Sequence, residues 1–117
     1  MVVHSPLTEL ELDRLFRALA DTTRRDIVAR VMAGEEASVS ALAARYEMSF
    51  AAVQKHVAVL EDARLVTKHH RGRERIVRGN PGQLARARIL LHRLERLWSS
   101  RFSQLDAILA ELPHGTT

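Results

Sequence analysis

Three features of this 117-residue chain predict a mainly α-helical fold with one small β-hairpin. Apolar residues recur at helical spacing through most of its length. Between positions 38 and 78, a short helical segment, a tight turn and a second helical segment lead directly into a basic stretch with a central glycine. From Leu84 to Leu112 no proline or glycine interrupts the chain, which suits one long final helix. The expected result is a single domain over 1–117 with about five helices. Its middle has the order of a helix-turn-helix followed by a wing.

Each element has a local cause. Thr8-Glu9-Leu10-Glu11 has the T-x-x-E form of a capping box, and Leu12, Leu15, Phe16 and Leu19 follow at helical spacing, so a first helix is placed over 9–20. Asp21 is the N-cap of a second helix whose buried side is Ile27, Val28 and Val31, with Gly34 as its stop. Glu35-Glu36-Ala37 reads as a polar link. A short third helix over 39–46, capped by Ser38 or Ser40, turns Leu42, Ala43 and Tyr46 inward. Ser49 starts a fourth helix that buries Val53, Val57 and Leu60 and ends near Arg64, so the helix-turn-helix covers 39–64.

The wing covers 65–79. Residues 65–68 and 75–78 read as two strands, and Arg71-Gly72-Arg73 makes the turn between them. Asn80-Pro81 then suits a helix start. Along 84–112, Leu91, Leu94, Trp98, Leu105, Ile108 and Leu112 are spaced by 3, 4, 7, 3 and 4, with Phe102 in the gap. About 25 helical residues reach about 38 Å at 1.5 Å per residue, too far for so small a domain to cover. That stripe needs a partner, and the simplest is the same helix of a second copy. The dimer interface is accordingly placed on Leu91, Leu94, Trp98, Phe102, Leu105, Ile108 and Leu112. The last five residues, 113–117, should fray.

Charge is distributed unevenly. Residues 1–36 hold five Lys/Arg and seven Asp/Glu, whereas 37–79 hold eight and four. The middle third therefore carries the basic excess, as a surface facing phosphates requires. No apolar run approaches the ~20 residues of a membrane span, and the expected location is cytoplasmic. The chain has no cysteine, which removes disulfides and thiolate metal ligands together.

Duplex DNA is the partner this pattern suits. The second helix of a helix-turn-helix enters the major groove with its N-terminal turns leading. Over the recognition helix, 49–64, the candidates are Ser49, Ala51, Ala52, Gln54, Lys55 and His56. Gln54 can pair with adenine, and Lys55 with guanine or a phosphate. Ala51 and Ala52 allow close approach, Ser49 and the N–H groups beside it can hold a phosphate, and His56 can donate to the backbone. Phe50 is expected to pack. In the wing, 68–78, the candidates are Lys68, Arg71, Arg73 and Arg75, reaching the backbone or the minor groove. Arg71 and Arg73 flank the glycine and are the leading pair. Strand alternation puts Arg75 and Arg78 on opposite faces.

The segments L-F-R-A-L-A-D-T-T-R-R-D-I-V, S-V-S-A-L-A, M-S-F-A-A-V-Q-K-H-V-A-V-L and A-R-L-V together resemble the ArsR-type winged-helix repressors over about 9–112. The resemblance implies a homodimer joined through the first and last helices, which adds Leu12 and Phe16 to the interface, and it implies a palindromic operator and release on a signal. Thr22 replaces the usual proline of the D-P-T-R motif, while Asp21, Thr23 and Arg24 match it. The thiolate sensors of that family carry Cys-x-Cys where this chain has Ser38 and Ser40, which do not bind soft metals. Of the family's zinc-type site only His92-x-x-Glu95 has a matching spacing, without the Asp-x-His that completes it. A non-metal member without cofactor is expected, its inducer being an organic molecule, an altered partner or nothing. Alternatives are a metal-responsive repressor using His92 and Glu95 with His4, and a winged helix that binds a protein. Catalysis is not expected: there is no cysteine nucleophile, Gly-rich phosphate loop or H-E-x-x-H, and Asp26–Arg30 reads as an i,i+4 ion pair.

Overall fold

The computed structural model describes residues 7–112. His4 and the tail 113–117 lie outside the described residues. The elements run α1 (Glu9–Leu19), α2 (Thr22–Met32), β1 (Ala37–Ser38), α3 (Val39–Arg45), α4 (Phe50–Asp62), β2 (Val66–Arg71), β3 (Glu74–Gly79) and α5 (Pro81–Glu111). The five helices and the hairpin match the sequence expectation.

Helix starts follow the side chains read as caps. Thr8 Oγ1 accepts from the Glu11 N–H at 3.1 Å, and the Glu11 carboxylate accepts from the Thr8 N–H at 3.2 Å, which completes the capping box. Asp21 accepts from Arg24 N–H at 3.0 Å, Ser38 from Ala41 N–H at 3.0 Å, and Ser49 from Ala52 N–H at 3.1 Å. Ser38, rather than Ser40, is thus the α3 cap.

Three helices end in one way, which the sequence advertises only at Gly34. After α2, α3 and α4 the chain turns at Gly34 (φ 96°), Glu47 (φ 54°) and Arg64 (φ 60°). The next N–H then reaches back five residues: Glu35 to Arg30 O at 3.2 Å, Met48 to Ala43 O at 3.0 Å, and Leu65 to Leu60 O at 3.0 Å. This is the Schellman closure, which satisfies carbonyls the helix end would otherwise leave open. Glu47 makes the turn between α3 and α4, and Arg64 delivers the chain into the hairpin.

The strands differ from expectation in extent and number. They run Val66–Arg71 and Glu74–Gly79 rather than 65–68 and 75–78, because the cationic residues near the tip pair as regular strand. Arg71 pairs with Glu74, leaving Gly72 and Arg73 as a two-residue turn in which Gly72 takes φ 64°. The supposed link also ends in a short strand, β1: Ala37 pairs with Val77 and Ser38 with Ile76, antiparallel. The sheet order is β1-β3-β2, with β3 central, and Ile76 and Val77 are both buried there. At Gly79, β3 passes so close to α2 that a Cβ would sit 2.9 Å from the Val31 carbonyl oxygen.

The core lies where the helix faces meet the sheet. Leu15, Ile27, Val31, Leu42, Val53, Val57, Leu60, Leu65 and Val77 are all buried. Tyr46 donates its hydroxyl to Asp26, which also accepts from Arg30 Nε at 2.9 Å, so α2 and α3 are tied by a polar contact beside the apolar one. The Tyr46 hydrogen bond, then that of Arg30, holds the Asp26 carboxyl below the usual carboxylate range.

Only the start of α5 belongs to this body. Gln83, 3% exposed, donates to Ala63 O at 3.0 Å, and Arg86 pairs with Glu11 at 3.0 Å. Ala87 is the last buried residue of the helix. The remaining turns leave the body, and the molecule extends over 70 × 43 × 24 Å.

Glycine adopts positive φ without the Cβ clash that costs other residues about 1–2 kcal/mol. Glu47→Gly and Arg64→Gly are each expected to stabilise the fold by up to ~1 kcal/mol, the rest being lost to greater freedom of the unfolded chain. Urea midpoints check this. Lower midpoints for both would show that contacts of these side chains, not helix closure, hold the turns.

Candidate nucleic-acid interface

Burial of Val53, Val57 and Leu60 fixes which way α4 faces. Ala51, Lys55 and Ala58 are exposed on the opposite side, with Gln54, Ala52 and His56 half-buried on its flanks. Ser49 is exposed but spends its hydroxyl on the helix cap. The expectation that Phe50 packs is wrong. It is 47% exposed and stands at the mouth of a groove between α4 and the wing.

That groove, of about 300 Å³, is bordered by Phe50 and Gln54 from α4, Arg73 and Arg75 from the wing, and Ser38 and Ser40 at the start of α3. Helix-turn-helix and wing thus converge, and two of the four wing candidates stand beside the recognition helix. Sequence spacing could not show that Ser38, Ser40 and Phe50 join them, since no pattern links a cap to a hairpin tip.

The other two wing candidates are paired with carboxylates. Lys68 Nζ lies 3.5 Å from Glu61 of α4. Arg71 Nη2 donates to Glu36 at 2.6 Å, and Arg78 Nε approaches the other oxygen of that carboxylate at 2.9 Å without an aligned N–H. Arg75 and Arg78 do fall on opposite faces: Arg75 borders the groove and Arg78 faces Glu36. Hydrogen bonding from Arg71, reinforced by Arg78, holds the Glu36 carboxyl below the usual carboxylate range.

His56 has a partner the sequence did not suggest. Its Nδ1 is 3.2 Å from Arg24 Nη1 and 3.8 Å from Asp21 Oδ2. Arg24 is itself anchored to the end of α1 through Ala18 O at 2.7 Å and Arg17 O at 3.1 Å. The D-T-T-R segment is where a signal lay, as a matched motif without a stated role.

Away from this surface, α5 presents the stripe read from the sequence. Leu91, Leu94, Trp98, Phe102, Leu105, Ile108 and Leu112 are exposed, as is Phe16 of α1, while Leu12 is half-buried. Leu97 and Leu109 join them. Trp98 and Phe102 stack with ring centroids 5.9 Å apart. His92 and Glu95, both exposed, approach to 3.8 Å, and among the described residues no three His, Cys, Asp or Glu cluster as a metal site. No helix among the described residues is long and apolar enough to cross a membrane.

Comparison with known proteins agrees with this geometry. Residues 19–69 match a family model described as a helix-turn-helix domain. The HTH-type transcriptional regulator Rv2034 of Mycobacterium tuberculosis is 41% identical over 87 residues, covering 74% of this chain and 78% of the relative. An ArsR-like transcriptional regulator from Rhodococcus sp. RHA1 superposes with a TM-score of 0.74 at 30% identity, over 89% of this chain and 94% of that one. A crystallised ArsR family transcriptional regulator gives 0.72 at 31%, over 82% and 98%. With α4 outward, a basic wing beside it and these relatives, the chain belongs to the ArsR-type family of winged helix-turn-helix, DNA-binding transcriptional regulators.

Proposed function

We propose that the protein is a dimeric repressor of a palindromic operator. The observation that carries this reading is the stripe on α5. Trp98 is 59% exposed and Phe102 56%, and their apolar neighbours continue the surface over six turns from Leu91 to Leu112. Exposed apolar surface of this extent marks an interface. A second copy supplies a matching stripe under two-fold symmetry, with Phe16 and Leu12 at its edge. Two copies of α4 then enter successive major grooves, with half-site centres roughly 10 bp apart or a multiple of that. The cytoplasm is where such a protein meets chromosomal DNA.

Within each half-site the roles divide by position. Gln54 and Lys55 face base edges, with Ala51 and Ala52 permitting close approach and Ser49 near a phosphate. Arg73 and Arg75 meet the backbone or minor groove beside them. Lys68 and Arg71 contribute by exchanging a carboxylate for a phosphate, so they add less than their exposed neighbours. The repressor role is part of this proposal: a dimer seated across a promoter excludes other proteins from it.

Two expected outcomes test these assignments. Gln54→Ala should relax sequence preference at one position per half-site, by about 1–3 kcal/mol of discrimination. Arg73→Ala should weaken binding to every sequence and reduce the salt slope by about 1. Equal losses on operator and random duplex for both variants would contradict the division. For the dimer, Trp98→Glu should yield a folded monomer in sedimentation velocity, with affinity for a two-half-site duplex reduced by at least about a hundredfold. An unchanged dimer would place the interface elsewhere.

A further inference from the structure

A helix lying in a major groove meets a phosphate wall on each flank, because the groove is about 12 Å wide and a helix with its side chains about 10–12 Å across. The wing serves one flank of α4, where Arg73 and Arg75 stand beside Gln54. Gln54 and His56 are two residues apart, roughly 200° around the helix. His56 therefore stands on the flank away from the wing, and the α1–α2 turn borders it there through Arg24 and Asp21.

The proton on His56 is placed by this turn. Arg24 Nε and Nη2 are held by the carbonyls of Ala18 and Arg17, which leaves Nη1 for the imidazole. A guanidinium only donates. Nδ1 must then accept, and the ring proton resides on Nε2. Asp21 does not compete for it: its Oδ2 is 3.8 Å from Nδ1 and accepts the Arg24 backbone N–H at 3.0 Å. The other edge of a ring whose side chain is 21% exposed thus carries an N–H donor with a fixed orientation.

We propose that His56 is a second phosphate seat, a neutral Nε2–H donor on the flank opposite the wing, and that Arg24 is its positioning residue. The inference rests on the DNA-binding reading above and adds the wall that the wing does not reach. The Arg24 and Asp21 charges offset one another, so the seat supplies a hydrogen bond without releasing a counterion. Its loss should lower affinity and leave the salt dependence alone, unlike the loss of a wing arginine.

The test uses a random-sequence duplex over a series of salt concentrations, with the full chain and two substitutions. His56→Asn keeps an acceptor near the place of Nδ1 but ends short of Nε2. It should retain the wild-type Tm and bind about fivefold to tenfold more weakly at every salt, with an unchanged slope. His56→Gln, which reaches the Nε2 position, should recover most of that loss. In the free protein at about pH 8, above the ordinary imidazole range, two-bond proton–nitrogen spectra should show the Nε2–H tautomer with Nδ1 hydrogen-bonded. Arg24→Gln should abolish that hydrogen-bond signature. The proposal is overturned if His56→Asn binds as wild type, if its salt slope falls by about 1, or if the wild-type ring is protonated on Nδ1. Wild-type protein that retains no duplex at low salt would defeat the DNA reading itself, and the seat with it.

Discussion

Burial of one narrow helix face decides what the rest of this molecule can do. Val53, Val57 and Leu60 are fully excluded from water, and each such side chain is worth about 1.5–3 kcal/mol relative to exposure. Turning α4 by one residue would swing these side chains toward water and bring others inward. The apolar face therefore holds Ala51 and Lys55 outward and puts Gln54 and His56 on opposite flanks. The closures at Glu47 and Arg64 set where the helix begins and where the hairpin leaves it. Function here is a consequence of core packing carried across one helix diameter.

Charge then refines what packing has placed. The basic wing is not a uniform cation. Glu36 holds Arg71 and approaches Arg78, and Glu61 holds Lys68, while Arg73 and Arg75 stand by the groove. Such exposed pairs contribute little to stability, typically about 0–1 kcal/mol. Their effect is on orientation: they set where the Lys68, Arg71 and Arg78 side chains lie. The Asp21–Arg24–His56 cluster fixes side-chain orientation on the other flank.

Legibility in the sequence followed the range of the interaction. Thr8, Asp21, Ser38 and Ser49 were readable as caps because each acts on a group three residues away. Stripes on α1, α4 and α5 were readable because helical periodicity is local. The Glu47 and Arg64 turns were hidden because glycine, their usual mark, is absent. β1 was hidden because two residues show no period and their pairing partners lie about forty residues on. Arg71 with Glu36 and Arg24 with His56 join positions 35 and 32 residues apart, which only the fold brings together. The outward side of the recognition helix was therefore predictable, whereas the engagement of two wing residues and the setting of His56 were not.

The long final helix leaves its apolar length in water unless a second chain covers it, as the proposed dimer does. A selection from random duplex DNA with the purified protein, at about 150 mM salt, tests that dimer together with the placement of α4. The expected result is an enriched palindrome with half-site centres about 10 bp apart or a multiple of that. Enrichment of a single unsymmetrical site, bound by a monomer, would contradict it.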